Sequence, residues 1–75
     1  MRKHNVELRI PSSLTLSEKE LTLAEGLAKI VAMNLQYAED KYGDPYRVES
    51  YACVKHCRYV LTQMGFGIST YVENV

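Results

Sequence analysis

The five residues YGDPY, Tyr42 to Tyr46, decide how this chain folds back on itself. A glycine accepts the left-handed backbone that ends a helix without a Cβ penalty, so Gly43 sits where a helix wants its C′ residue. The next two residues read as a helix start. Asp44 can accept from freed N–H groups, and Pro45 suits the first helical position, where no N–H is needed. One helix therefore stops at Tyr42 and another begins at Pro45.

Toward the N-terminus, residues 17–42 hold no proline and are rich in alanine, leucine, lysine and glutamate, which predicts one long helix. Thr15 or Ser17 can cap it, with Glu18 or Glu20 placed to complement its dipole. Toward the C-terminus a second helix is predicted over residues 45–64, stopped by Gly65 and Gly67 around Phe66. The segment NVELRIP alternates, with Val6, Leu8 and Ile10 on one face and Asn5, Glu7 and Arg9 on the other. It predicts a half-buried strand over residues 5–10, ended by Pro11. FGISTYVENV alternates likewise, with Phe66, Ile68, Thr70 and Val72 on one side, and predicts a strand over residues 66–73.

The order is β-α-α-β: an α+β chain, mainly helical, built as a long antiparallel helical hairpin flanked by short N- and C-terminal strands in one small domain spanning 1–75. Such a hairpin returns the chain near its start, so the strands can pair antiparallel, within one chain or across a dimer. A lone two-stranded ribbon is weak and needs helices beneath it or another ribbon beside it.

With 75 residues, folding buries only about 60–65 % of the surface, and chains this small draw stability from disulfides, a metal or a partner subunit. Nine basic residues balance nine acidic ones and the isoelectric point is about 6.7, so no strong field attracts nucleic acid or membrane. The start, MRKHNVELRIP, has no apolar export signal, and no apolar run approaches the roughly 20 residues of a membrane span. A cytoplasmic location is expected, with no membrane contact and both cysteines as thiols.

At 100° per residue, Leu21, Leu23, Ala24, Leu27, Ala28, Ile30, Val31, Ala32, Leu35, Ala38 and Tyr42 cover roughly 200° of the first helix, against about 100° for a helix with one neighbour. The surplus points to a homo-oligomer, a dimer being the expected form. On the second helix Tyr46, Cys53, Cys57, Val60, Leu61 and Met64 share an arc of about 120°, with Val54 at its border.

Both cysteines are thus expected to face inward, as small buried apolar residues. Four residues apart on a helix, they do not bring their sulfurs to bonding distance. Cys53, His56, Cys57 and His4 are the only metal-ligand set on offer, and their spacing matches no zinc motif, so neither metal nor cofactor is expected. The opposite face carries Arg47, Tyr51, Lys55, Arg58, Tyr59 and Thr62, a basic surface with aromatic rings, and is the candidate binding surface.

Catalytic constellations are absent: there is no phosphate-cradling glycine loop, nucleophile elbow or HExxH, and the adjacent Glu39 and Asp40 diverge on a helix. The chain reads as a non-enzymatic interaction module. As a homo-oligomer it would bind another macromolecule, a protein partner, in the manner of short regulatory or phage-encoded inhibitor proteins. A second reading starts from VELRIPSSL, residues 6–14, which resembles the opening of ribbon-helix-helix repressors, whose paired strands from two chains enter the DNA major groove. The resemblance implies Asn5, Glu7 and Arg9 as base readers, with Arg2 and Lys3 on phosphates. Further on, Gly26 runs directly into LAKIVAMNLQ, good helix where that family turns. A third reading is capture of a small anionic ligand such as a nucleotide between subunits, by Arg47, Lys55, Arg58 and the tyrosines.

Overall fold

In the computed structural model, which describes residues 2–75, the YGDPY turn forms as its residues require. Gly43 takes φ 71° and ψ 10°, and its N–H donates to the Glu39 carbonyl. Asp44 accepts from the Tyr46 N–H, with Pro45 at the first turn of the next element. The chain runs β1 (Arg2–Arg9), α1 (Glu18–Tyr42), a 3-10 helix (Pro45–Ser50), α2 (Ala52–Gln63) and β2 (Gly67–Asn74). The fold is a small α+β arrangement, as its alternation and punctuation predict.

Helix α1 begins with a full capping box. Ser17 accepts from the Glu20 N–H, and the Glu20 carboxylate returns to the Ser17 N–H, satisfying two otherwise orphaned donors. Among the two caps open on sequence grounds, Ser17 is the one used.

The predicted helix over residues 45–64 is corrected: it is two elements. Tyr51 is extended, with φ −69° and ψ 134°, and separates the 3-10 helix from α2. In one straight helix Val48 and Val54, six residues apart, would diverge by about 120°. The break turns both into the same buried cluster beside Val31, Leu35 and Ala38. It also rotates the inward face of α2. Val54, Cys57 and Leu61 are buried, whereas Tyr46 and Cys53, expected inside, are exposed and Val60 is half-buried.

The strands pair antiparallel within the chain, from Arg2 opposite Asn74 to Arg9 opposite Gly67. Their inner face, with His4, Val6 and Leu8 against Val72, Thr70 and Ile68, lies on the helices; Asn5, Glu7 and Arg9 share the outer face. A second buried cluster, Ala24, Ala28, Leu61 and Phe66, sits under the far end of this ribbon. Val6 and Leu27 touch both clusters. Alanines at 24, 28 and 38 let neighbours approach α1 closely along one side.

The result is thin, 38 × 28 × 16 Å. Its accessible surface of 5170 Å² exceeds the roughly 4700 Å² expected for a folded monomer of this mass.

The rotated face of α2 is directly testable by urea unfolding. Val54→Ala, at a fully buried site, is expected to cost about 2 kcal/mol, and Val60→Ala less than half of that. The reverse order would restore the straight-helix arrangement.

Candidate interaction surface

The basic face predicted on the second helix is split by the break at Tyr51. Arg47 stays on the 3-10 helix, its guanidinium carbon 4.1 Å from the centroid of the Tyr42 ring. Arg58 donates from Nη2 to Glu49 Oε1 at 2.7 Å and so ties α2 to the 3-10 helix. Two of the three cations are thus engaged inside the chain, and Lys55 remains exposed with Tyr51 and Tyr59 around it. Asn5, Glu7 and Arg9 lie side by side on the outer face of the ribbon, where Asn5 Nδ2 donates to Glu73 Oε1 at 2.8 Å.

Cys53, His56 and Cys57 do not converge. Cys53 is exposed, Cys57 is buried, and both are free thiols. Burial, with Cys53 nearby, pushes the Cys57 thiol above its ordinary pKa. Among the described residues no three His, Cys, Asp or Glu side chains come together as metal ligands.

A polar cluster that the sequence did not announce joins the start of β1 to the last third of α1. His4 is buried, and its Nε2 donates to Glu39 Oε2. Arg2 Nη1 lies 3.1 Å from the other Glu39 oxygen. Gln36 accepts from the His4 N–H and donates to the Arg2 carbonyl and to Asp40. The available signal was parity: His4 stands two and four residues before Val6 and Leu8 and so belongs to the inward face. The cluster fastens the ribbon to α1, since a buried imidazole requires an acceptor.

An exposed apolar stripe lies on the outer side of α1. Leu23, Gly26, Ile30, Met33 and Tyr37 recur at alternating spacings of three and four residues. Leu23 is 55 % exposed, Ile30 42 %, Met33 62 % and Tyr37 51 %. Glycine in a helix interior costs about 1 kcal/mol relative to alanine, yet a Cβ at Gly26 would meet nothing within 4 Å. Nothing in the single chain requires that glycine. Lysines bracket the stripe. Lys19 precedes it, and Lys41 follows, its Nζ donating to Tyr37 Oη at 3.0 Å. This hydrogen bond and the charge interaction with Tyr37 raise the Lys41 pKa above its usual value.

Comparison with protein-family models, with curated proteins and with solved structures found no match to this chain. Among the described residues no helix is long and apolar enough to cross a membrane.

Glu39→Ala should strand the buried His4 ring and cost about 1–3 kcal/mol in urea unfolding; a cost near zero would show the ring to be solvated. The thiols should separate under a thiol reagent, Cys53 reacting quickly and Cys57 only through opening of the fold. A raised folded pKa at Cys57 contributes stability below the unfolded thiol pKa. That contribution is lost as pH rises through the unfolded and then the folded thiol pKa, so the urea midpoint should fall on the alkaline side, and Cys57→Ala should remove this part of the fall.

Proposed function

We propose that this chain is a small non-enzymatic interaction module, assembling as a homo-oligomer and regulating a protein partner by binding it. The observation that carries the reading is the exposed stripe Leu23–Gly26–Ile30–Met33–Tyr37. Its 3-4 spacing is the seam along which one helix packs on another, and Gly26 allows a second backbone to approach closely at its middle. Lys19 and Lys41 at its two ends select the partner's chemistry: an amphipathic helix whose apolar face is flanked by acidic residues.

A DNA-binding regulator is the second reading, favoured by one feature: Asn5, Glu7 and Arg9 form a contiguous row on the outer face of the ribbon, with Glu7 and Arg9 exposed. Against it weigh Glu7 and Glu73 on that same face and the balanced net charge. Small-anion capture is supported less, because Arg47 and Arg58 are already engaged by Tyr42 and Glu49.

The test is capture from cell lysate with the wild type, with Leu23→Lys/Ile30→Lys, and with Lys55→Ala/Tyr59→Ala. All these positions are exposed, so each variant should keep its circular dichroism spectrum. A protein held by the wild type and the second variant but lost with the first supports the reading. Equal retention by all three excludes the stripe, and salt-sensitive retention on heparin moves the reading to nucleic acid.

A further inference from the structure

Strand β1 has one edge bonded to β2 and one edge free, and its contacts with α1 identify which backbone groups face outward. The His4 N–H donates to Gln36 Oε1 at 2.8 Å, and Gln36 Nε2 donates to the Arg2 carbonyl at 3.0 Å. Both groups therefore point away from β2. Backbone direction repeats every second residue, so Val6 and Leu8 also turn their N–H and C=O to the free edge. Ile10 comes next in the series, before Pro11, which has no N–H to offer. Gln36 takes the place of a third strand at Arg2 and His4. From Val6 onward, no side chain among the described residues does so.

Beside that open stretch a groove of about 310 Å³ runs between β1 and α1, and a second of about 320 Å³ adjoins it next to His4 and Gln36. Ala28 and Ala32 line the floor, and Glu25 and Lys29 stand at the rim. Free edges with room beside them are where a further strand adds.

We infer that a second copy of this chain occupies this edge, its β1 added antiparallel about a two-fold axis through Leu8 to give a continuous sheet ordered β2-β1-β1-β2. This deepens the homo-oligomer of the proposed function by giving the assembly its surface. Charge selects the register. With the axis at Leu8, Glu7 lies opposite Arg9 of the second copy and Arg9 opposite its Glu7, both on the solvent face. On the other face Val6 meets Ile10, which is 49 % exposed in the single chain. Neither Glu7 nor Arg9 has an ion pair among the described residues.

An axis at Val6 would instead set Arg9 against Lys3 of the second copy and drive the added strand into Gln36. The helix layer repeats the complementarity. Leu8 packs with Ala24 and Ala28, so the axis passes near Glu25 and Lys29, one turn apart, and antiparallel helices bring Glu25 of each copy toward Lys29 of the other. The free edge of β2 offers no such match. Its outer row is Ser69, Tyr71 and Glu73, with no cation to answer Glu73 in a second copy.

Sedimentation equilibrium over a dilution series tests this with the wild type, Glu7→Arg, Arg9→Glu and the double swap Glu7→Arg/Arg9→Glu. Each single reversal opposes like charges at two symmetric places and is expected to weaken the dimer by about tenfold or more. The double swap recreates both pairs and should restore the wild-type constant. Both side chains face solvent, and circular dichroism verifies the fold of each variant. A wild-type dimer indifferent to all three changes, or a double swap no better than the singles, overturns the edge pairing while leaving a homo-oligomer standing. A wild type that stays monomeric at high micromolar concentration overturns the edge pairing and the homo-oligomer together.

Discussion

Strand β1, the 3-10 helix and α2 all depend on being packed against a single helix, α1, and β2 is held through β1 and α2. At about 1.5 Å per residue, the 25 residues of α1 span the whole length of the molecule. The remainder of the chain is enough to cover Ala24, Ala28, Val31, Leu35 and Ala38, and little else of it. A helix this long in a chain this short leaves apolar side chains outside, because two strands and two short helices cannot surround it. The exposed stripe and the thinness of the body are two consequences of the same shortage.

The ribbon is held to that helix at one end by polar contacts and at the other by apolar ones. Near its start, His4 and Arg2 are fastened through Glu39 and Gln36. Near its far end, Leu8 and Ile68 rest on the cluster of Ala24, Ala28, Leu61 and Phe66. The polar end orders the strand and also closes its free edge there, while the apolar end needs no such closure and leaves the edge open. The openness of β1 past Val6 thus follows from where its fastening lies.

Much of the fold was legible because it rests on local chemistry. The Gly43–Asp44–Pro45 turn, a cap at Thr15 or Ser17 and the alternation of both strands depend on residues within a few positions of one another. The break at Tyr51 was not legible, because no proline, glycine or cap marks it. It exists so that Val48 and Val54 can reach one cluster on α1, which is a demand made by residues far away in sequence. The same rotation moved Cys53 out and Val54 in. On the candidate binding face, the engagement of Arg47 by Tyr42 and of Arg58 by Glu49 depended on how the second helical region was divided.

By itself the sequence determined the long first helix and the turn that ends it, the parity of the strands and the excess of apolar surface on α1, since each follows from backbone preference or periodicity over a short stretch. Only the tertiary structure decided that the strands close on each other within one chain, that His4 is buried against Glu39, and which apolar residues of α1 remain uncovered. Those outcomes turn on which surfaces a chain of this size can bring together at once, and long-range packing competes for the same helix face in a way no local pattern records.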